Sequence, residues 1–284
     1  MVNHQEPGAP TRYAVIGSPI AHSKSPLIHS LFAEQTKQHL TYEAIEVLEA
    51  EFVSFVNAFF ESGGGGLNVT LPHKERAFAL AEVTTPRASL ARAVNTLSLN
   101  KAGQLEGDNT DGAGLLNDLC LNHGISIESK RLLILGAGGA TRGVLAAIAD
   151  LAKKPAAITV ANRTLAKATA LASDFASRLA ITASGYDALD DQQFDVIING
   201  TSASLGGELP PVPPSVIAPD CCCCYDMMYA AEPTLFLKWA KAQGAAQAID
   251  GLGMLVGQAA LAFTRWRGIE PTTADVIQAL RVHP

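Results

Sequence analysis

Little in this sequence supports an extracellular or membrane-spanning protein. Cysteine is scarce and badly spaced, because four of the 5 cysteines form the unbroken run 221–224, which excludes a framework of spaced disulfides. No run of about 18 apolar residues occurs, so no transmembrane helix is predicted. Segment 1–10 is polar and lacks the apolar centre of a secretory signal.

An excess of positive charge is also missing. The formal net charge is -6, and the charged residues are scattered along the chain rather than grouped. Such a chain presents no basic surface to nucleic acid or to an anionic membrane. We therefore expect a cytoplasmic protein whose partner is a small molecule, with neither nucleic acid nor membrane among its partners.

The cysteine run itself predicts a buried strand. Successive side chains of a strand point to opposite faces, so Cys221 to Cys224 cannot converge on one metal ion. Cysteine behaves as a small apolar residue when buried. We expect these four residues to fill a strand that is covered on both faces, and we expect no metal site.

The length of 284 residues and the hydrophobic content of 48% predict two cores rather than one. In the first part of the chain, apolar β-branched segments alternate with helical ones. The predicted strands are 12–16, 40–45 and 65–69, and the predicted helices are 25–38 and 52–61. This alternation predicts an α/β fold with a mostly parallel sheet, which binds ligands beyond the carboxyl ends of its strands.

One such strand end carries the segment from Asn68 to Lys74. Pro72 stops the strand, and residues 73–80 have helical composition, so Lys74 is predicted at a strand-to-helix corner. At that corner Asn68, Thr70 and Lys74 can face one cavity, where an amine could exchange a proton with a ligand. The alternative is a solvated surface lysine.

The first strand ends in a polar loop with two hydroxyls, Ser23 and Ser25. Ser25 precedes Pro26 as an N-cap residue precedes the first helical position, so capping alone could explain the loop. The functional alternative is that both serines bind an anionic group at the N-terminus of the helix.

A predicted hairpin, with arms 94–99 and 104–106, leads into Asp111. The segment 107–112 is rich in Asp and Asn, but it lacks the glutamate that closes a calcium-binding loop. Asp111 is predicted to be either the N-cap residue or a catalytic carboxylate at the start of a helix over 114–122.

The second part of the chain begins with a strand, a glycine turn and a helix. The strand is 131–135, the turn contains Gly136, Ala137, Gly138, Gly139 and Ala140, and the helix covers 142–153. This order lets a pyrophosphate approach backbone amides at a helix N-terminus, although Thr141 stands where a third glycine is usual. Further strands at 157–161, 180–183, 195–199, 221–225 and 245–249 complete the number that a doubly wound, Rossmann-like dinucleotide-binding fold requires.

The turn after the second of these strands contains Asn162, Arg163 and Thr164 and no acidic residue. An acid at this point usually binds the free ribose of NAD, whereas an arginine can pair with the 2'-phosphate of NADP. The sequence therefore favours NADP, and the alternative is an exposed turn arginine.

Two further helices follow the second sheet. The segment 251–260 opens a long apolar helix that carries Gln258, and 273–281 forms another. We expect both to pack back on the first domain. The predicted organisation is a substrate-binding catalytic domain over 1–111, an NADP-binding domain over 112–250, and returning C-terminal helices over 251–284.

These motifs together resemble the shikimate dehydrogenase family, which includes shikimate/quinate dehydrogenases. The similar segments follow the order of the family and are 17–26, 68–74, 93–96, 107–112, 136–140, 162–164, 226–229 and 251–260. The resemblance implies reversible, NADP-dependent reduction of 3-dehydroshikimate to shikimate, on the route to chorismate and aromatic amino acids. It also implies a monomer or a homodimer.

The resemblance also assigns residues. It implies that Lys74 and Asp111 are the catalytic pair. The implied substrate-binding residues are Ser23, Ser25, Asn68, Thr70, Asn95, Tyr229 and Gln258. The implied cofactor-binding residues are Gly136, Ala137, Gly138, Gly139, Ala140, Asn162, Arg163, Thr164, Lys167, Met227 and Gly251.

Three positions depart from the family pattern. Arg92 stands where glycine is usual, Pro86 where an acidic residue is frequent, and Gly200 where alanine is common. Two alternative functions remain open on this scaffold: a broader quinate/shikimate dehydrogenase, and a non-catalytic sensor of shikimate. A sensor would not need both Lys74 and Asp111.

Overall fold

The computed structural model describes residues 8–201, 203 and 207–282. Its first half forms a six-stranded sheet in the order β2-β1-β3-β5-β6-β4. The strands are β1 Thr11–Gly17, β2 Leu40–Glu46, β3 Gly66–Val69, β4 Val83–Thr84, β5 Thr96–Leu99 and β6 Leu105–Asp108. Only β5 runs against the others, since it pairs antiparallel with both β3 and β6. The predicted mostly parallel sheet is confirmed, and so is the hairpin.

Four helices accompany this sheet. They are α1 Ser25–Thr36, α2 Phe52–Glu61, α3 Lys74–Leu80 and α4 Pro86–Ala91. Helix α4 has a well-formed start, because the Thr85 side chain accepts from the amide of Ala88 and Pro86 occupies the first turn. The departure at Pro86 therefore suits this helix. Arg92 follows α4 with a φ of 51°, in the left-handed region where glycine is favoured.

The second half forms another six-stranded sheet, in the order β12-β11-β10-β7-β8-β9. The strands are β7 Arg131–Leu135, β8 Ala157–Ala161, β9 Ile181–Ser184, β10 Val196–Asn199, β11 Cys223–Asp226 and β12 Gln247–Ile249. All their pairings are parallel. The strand order reverses between β7 and β10, and such a switch point is where dinucleotides bind. The predicted Rossmann-like sheet is confirmed.

Within the described residues, six more α-helices follow the first sheet. They are α5 Asp111–Asn117, α6 Gly139–Asp150, α7 Leu165–Phe175, α8 Leu235–Ala242, α9 Leu252–Arg267 and α10 Ala274–Val282, with a π-helical turn at Asp118–Asn122 after α5. Helices α9 and α10 share a buried apolar cluster with α1, in which Phe263 and Leu280 pack near Phe32. The predicted return of the C-terminal helices to the first half is confirmed.

The boundaries differ from the predictions in a few places. Helix α5 begins at Asp111, three residues before its predicted start, and α6 begins at Gly139 inside the glycine turn. Of the cysteine run, Cys223 and Cys224 lie buried in β11, whereas Cys221 is exposed and Cys222 precedes the strand. The prediction of a buried strand therefore holds for only part of the run. Within the described ranges, no helix has the length and apolar character needed to cross a membrane.

Candidate active site

Lys74 and Asp111 form an ion pair at the edge of the first sheet. Lys74 is the first residue of α3, just after β3, and Asp111 is the first residue of α5. The Lys74 Nζ donates to Asp111 Oδ2 at 2.6 Å, and the side chains are 27% and 17% exposed. Both groups are therefore held together while remaining accessible from a cavity. The alternative of an isolated surface lysine is wrong.

Asn95 holds the other oxygen of the Asp111 carboxylate. Its Nδ2 donates to Asp111 Oδ1 at 2.8 Å, and its Oδ1 accepts from the Thr110 amide at 2.9 Å. Thr110, not Asp111, occupies the N-cap position of α5. The N-cap interpretation of Asp111 is therefore wrong, and its carboxylate is directed toward Lys74 and Asn95 instead.

A partly buried ion pair fixes the chain just before Asp111. Arg87 binds Asp108 through two hydrogen bonds, of 2.8 Å from Nε and 2.6 Å from Nη2. Burial alone would raise the pKa of the Asp108 carboxyl, but the hydrogen bonds and charge of Arg87 lower it below its usual value. Asp108 Oδ1 also accepts from the Asn109 amide at 2.7 Å. The segment leading to Asp111 is thus anchored to α4.

Tyr42 holds the Asn68 side chain, and His29 packs against Tyr42. The Tyr42 hydroxyl donates to Asn68 Oδ1 at 2.7 Å, and Asn68 Nδ2 donates to the carbonyl of Asn95 at 3.2 Å. The ring of His29 stacks on Tyr42 with centroids 4.1 Å apart. His29 is 1% exposed, and burial lowers its pKa to about 3, with a smaller opposing contribution from Asn68. The neutral imidazole and the phenol together hold the Asn68 amide in one orientation.

Every predicted catalytic and substrate-binding residue borders one cavity of about 440 Å³. The cavity lies between the first sheet and the start of α9. Met227 and Gly251 also line it; Met227 directly follows β11, and Gly251 directly precedes α9. The predicted lining residues are Ser23, Ser25, Asn68, Thr70, Lys74, Asn95, Asp111, Tyr229 and Gln258.

The serine loop differs from its prediction in one respect. Lys24 occupies the N-cap position of α1, Ser25 is the first helical residue, and no side chain caps the helix. The capping interpretation of Ser25 is therefore wrong. The Ser25 amide donates to Ser23 Oγ at 3.3 Å, so the Ser23 hydroxyl proton is available to a ligand.

Close helix packing fixes the distance between α5 and α9. A Cβ added to Gly114 would lie 2.5 Å from the amide nitrogen of Gln258, and one added to Gly257 would lie 2.9 Å from the carbonyl oxygen of Gly114. Only glycine permits this backbone approach. Gln258 therefore reaches the same cavity as Asp111, and Asn95 Nδ2 lies 3.4 Å from Gln258 Oε1.

The glycine turn after β7 leaves room for a ligand at the start of α6. Gly136 has a φ of 96°, which favours glycine. A Cβ placed on Gly138 or Gly139 would meet no heavy atom of the described residues within 4 Å, which leaves room over these backbone amides. An open turn at the N-terminus of a 12-residue helix fits a pyrophosphate group.

A second cavity, of about 680 Å³, extends from this turn. Arg163 borders it, 77% exposed, with its Nη2 3.7 Å from Glu208 Oε2. Gly139 and Ala140 do not line it, and Met227 and Gly251 line the first cavity instead. The remaining predicted cofactor residues border the second cavity: Gly136, Ala137, Gly138, Asn162, Arg163, Thr164 and Lys167.

Several residues of the two cavities were absent from the sequence predictions. Tyr42, His29 and the Arg87–Asp108 pair support the first cavity, and Tyr186 borders the second. Burial raises the pKa of Tyr186, with a smaller opposing effect from Arg163. All act through contacts between segments distant in sequence. Among these residues, only Asp108 had a signal in the sequence, because it lies in the Asp- and Asn-rich segment 107–112. That pattern indicated the segment and did not single out Asp108.

Comparison with known proteins gives consistent matches along the chain. The protein-family model described as shikimate dehydrogenase substrate binding domain matches residues 15–97. The family model described as shikimate / quinate 5-dehydrogenase matches residues 119–206. A third, described as shikimate 5'-dehydrogenase C-terminal domain, matches 251–281.

Whole proteins match as well. The shikimate dehydrogenase (NADP(+)) of Alkalilimnicola ehrlichii is 55% identical over 270 residues, which cover 95% of this chain and 98% of that protein. An Ael1 enzyme from Pseudomonas putida superposes with a TM-score of 0.89 at 46% identity, covering 95% of this chain and 98% of the other. Shikimate 5-dehydrogenase from Thermus thermophilus, solved with NADP(H) and shikimate, superposes with a TM-score of 0.83 at 32% identity, covering 96% and 100%.

Proposed function

The chain belongs to the shikimate dehydrogenase family, and from that premise we propose that its cleft interconverts 3-dehydroshikimate and shikimate with NADP. The observation that carries this proposal is the ion pair between Lys74 and Asp111, 2.6 Å long, in a cavity that residues of the dinucleotide-binding half also line. Reduction of a ketone requires a hydride donor and a proton donor on the same substrate. A cavity between the two sheets can bring both to one carbon–oxygen group.

Lys74 is the proposed proton donor in the reduction. One of its three N–H groups is committed to Asp111, which leaves two that can point at the carbonyl oxygen of a substrate. As the oxygen gains negative charge, the Lys74 ammonium stabilises it and then transfers a proton to it. In the oxidation the neutral amine takes that proton back from the hydroxyl.

Asp111 is proposed to position Lys74 and, because its side chain is 17% exposed, to pass a proton from solvent to the Lys74 amine after each reduction. The Asn95 amide binds one carboxylate oxygen at 2.8 Å and the Lys74 Nζ binds the other at 2.6 Å, so the carboxylate has little freedom to rotate. A fixed carboxylate keeps the ammonium aimed at one point of the cavity.

The other lining residues are proposed to hold the substrate. Ser23, Ser25 and Tyr229 bind the carboxylate, and four residues bind the ring hydroxyls: Asn68, Thr70, Asn95 and Gln258. Gly17 supports this arrangement, since a Cβ there would lie 2.5 Å from Thr70 Cγ2 and would push Thr70 out of position. The close approach of the β1 end to the 68–74 segment thus depends on glycine.

The residues of the second half fit NADP. The open amides of Gly138 and Gly139 suit the pyrophosphate, and Arg163, with Asn162, Thr164 and Lys167, suits the 2'-phosphate and ribose. Met227 and Gly251 would contact the nicotinamide, because they border the substrate cavity. When bound, NADPH would supply the hydride in the reduction, and NADP would accept it in the oxidation.

We further propose that this enzyme is cytoplasmic, monomeric or homodimeric, and part of the route to chorismate and aromatic amino acids. Light scattering of the purified protein distinguishes the two assembly states.

One assay tests the activity. The purified protein is given shikimate or quinate with NADP or NAD, and reduced cofactor is followed by absorbance. We expect the highest kcat/KM for shikimate with NADP. Comparable efficiencies on shikimate and quinate would identify the broader enzyme. Binding of shikimate without any reduction of NADP or NAD would identify a sensor.

A further inference from the structure

The substrate cavity has one cation whose charge no residue of the described chain neutralises. Its lining includes the ionisable residues Lys74, Asp111, Lys24, His22 and Tyr229. Lys74 and Asp111 cancel each other's charge at 2.6 Å. Within the described residues, no ion pair includes Lys24. A cavity that takes an anionic substrate therefore has Lys24 as its uncommitted lysine.

We propose that Lys24 is the ion-pairing partner of the substrate carboxylate and a determinant of specificity for acidic substrates. The inference rests on the proposed function, which supplies an anionic ring acid as the ligand. Lys24 stands between Ser23 and Ser25, the two residues proposed to bind that carboxylate, at the position before the first residue of α1. A lysine there brings a positive charge to the same end of the cavity as the hydroxyls.

The helix alone provides little for an anion at this point. Helix α1 begins at Ser25, whose amide already donates to Ser23 Oγ at 3.3 Å, and Pro26 has no N–H to offer. The amide of Ile28 donates to the carbonyl of Lys24 at 3.1 Å. Of the first turn, at most the amide of Leu27 can face a ligand. Binding of a carboxylate must therefore come mainly from side chains, which gives a charged one a clear role.

Lys24 also borders a neighbouring cavity. Lys24 and Tyr229 border both the substrate cavity and an adjacent cavity of about 290 Å³, so they form part of the wall between the two. The adjacent cavity also contains Arg281, but Asp250 binds that guanidinium through hydrogen bonds of 2.8 and 2.9 Å. Arg281 is thus already neutralised. Among the described residues, Lys24 thus remains the unpaired cation of a wall that it shares with Tyr229, the third residue proposed to bind the carboxylate.

The expected effect is about tenfold in substrate affinity. A hydrogen bond to a charged group is worth about 1.5 to 3 kcal/mol, which corresponds to about ten- to a hundredfold. Lys24 is partly exposed, so solvent and salt screen its charge and favour the lower limit. Because the carboxylate is remote from the reacting oxygen and carries the same charge throughout the reaction, this interaction lowers KM and leaves kcat unchanged.

The test compares Lys24→Met, which keeps the length of the side chain, with Lys24→Arg, which keeps the charge. Lys101→Met is the matched control, because Lys101 is exposed in the turn between β5 and β6 and lines neither cavity. We expect Lys24→Met to raise the KM for shikimate about tenfold with kcat within about twofold of the wild type. Lys24→Arg and Lys101→Met should change KM by less than about threefold.

A neutral substrate isolates the carboxylate. With the methyl ester of shikimate, Lys24→Met should leave kcat/KM unchanged, whereas a structural role of Lys24 would lower it for acid and ester alike. Equal losses on the two compounds, or an unchanged KM for shikimate, would overturn the proposal. Should the wild type prove inactive, the proposed function fails. Calorimetric Kd values for shikimate on wild type and Lys24→Met then still decide the role of Lys24.

Discussion

Lys74 is the proposed proton donor, and it lines the substrate cavity 2.6 Å from Asp111. Replacing it with alanine removes the proposed proton donor but leaves the hydroxyls and amides around the substrate in place. We expect Lys74→Ala to lower kcat by about a hundredfold to ten-thousandfold, the usual contribution of positioned acid-base catalysis, with a smaller change in KM. Steady-state assays with shikimate and NADP check this.

Asp111→Asn is the companion variant. It keeps the shape of the side chain but removes the charge that holds the Lys74 Nζ at 2.6 Å. We expect a loss of kcat in the same range, and we expect the double variant to be little worse than either single one, because the two residues act as a unit. A Lys74→Ala enzyme with most of its turnover would remove Lys74 from the mechanism.

Arg163 is proposed to distinguish two cofactors that differ by one phosphate. It is 77% exposed and lies 3.7 Å from Glu208, so the phosphate must compete with both solvent and a carboxylate. We expect Arg163→Ala to weaken NADP binding about tenfold while NAD binding stays nearly unchanged, and added salt to reduce the difference. Cofactor titrations at two ionic strengths measure both effects.

Arg178→Ala serves as the control for Arg163, since Arg178 is exposed in the same half of the molecule and does not border the second cavity. Equal weakening of NADP and NAD by Arg163→Ala would mean that the guanidinium contacts the adenine rather than the phosphate. A wild-type preference for NAD would contradict the cofactor assignment itself.

His29 makes the stability of the fold depend on pH. Its pKa is about 3 in the native protein, because burial disfavours the charged form, compared with about 6.5 in an unfolded chain. Below pH 6.5 the unfolded state therefore binds a proton that the native state does not, and the free energy of unfolding falls as the pH falls. The loss continues down to the native pKa.

The variant His29→Phe keeps an aromatic ring against Tyr42 and removes the titrating group. Between pH 6.5 and 4.5, the wild type should lose roughly 2 to 3 kcal/mol of unfolding free energy relative to His29→Phe, at about 1.4 kcal/mol per pH unit. Urea denaturation at several pH values measures the difference. Parallel pH profiles for the two proteins would contradict a buried neutral His29.

At the scale of elements, Thr141, which departs from the usual dinucleotide-binding glycine pattern, and Gly200, which departs from the family pattern, are linked where β7, α6 and β10 meet. Thr141 replaces the third glycine of the turn, is fully buried, and donates through Oγ1 to the carbonyl of Gly136 at 2.9 Å. A Cβ added to Gly200 would lie 2.7 Å from that same Oγ1. Gly200 therefore leaves the space that the Thr141 hydroxyl occupies, which explains why alanine is absent there.

This linkage predicts non-additive substitutions. Gly200→Ala alone should cost about 1 to 3 kcal/mol of unfolding free energy through overpacking, and Thr141→Ala in the same chain should recover part of that cost. Denaturant unfolding of the wild type, both single variants and the double variant gives the coupling energy. The control is Thr169→Ala, on the exposed face of α7, which should be additive with Gly200→Ala. If the effects of Thr141→Ala and Gly200→Ala on the free energy of unfolding were strictly additive, the two positions would not be coupled.

At the scale of the whole molecule, α9 joins the two halves. It follows the last strand of the second sheet, packs along α5, and buries Phe263 against Phe32 of α1, with ring centroids 5.7 Å apart. Trp266 of the same helix donates to the carbonyl of Leu97 in β5 at 3.2 Å. We propose that 1–111 and 251–284 fold as one unit and 112–250 as another.

Phe263→Ala tests this division. The fully buried ring should leave a cavity that costs about 3 to 5 kcal/mol, whereas Leu121→Ala, at a side chain 75% exposed, should change stability by less than about 0.5 kcal/mol. Amide hydrogen exchange should become faster in α1, α9 and β1 and change least in β7 and β8. Equal acceleration in both sheets would indicate a single cooperative unit.

The sequence by itself determined every strand of the two sheets except β4, some of the helices, and most of the residues proposed to carry the chemistry. It did not predict helices α4, α7 and α8. Hydrophobic periodicity and the glycine and proline punctuation are local properties, so strand β7 and helix α2 were predicted to the residue. The residue types at strand ends, such as Lys74, and the glycine turn after β7 are also local properties, so the sequence predicted them as well. Helix starts such as those of α5 and α6 were misplaced, because capping geometry depends on where the neighbouring segments lie.

Only the tertiary structure decided which groups meet. The Asp111 carboxylate turns to Lys74 and Asn95 rather than capping its helix because β3, β5 and α5 converge at one edge of the sheet. Three other features depend on residues that are far apart in the chain. They are the burial of His29, the ion pair of Arg87 with Asp108, and the close approach of Gly200 to Thr141. Such contacts depend on distances in space, and a linear sequence does not specify distance between segments until the sheets and helices have packed.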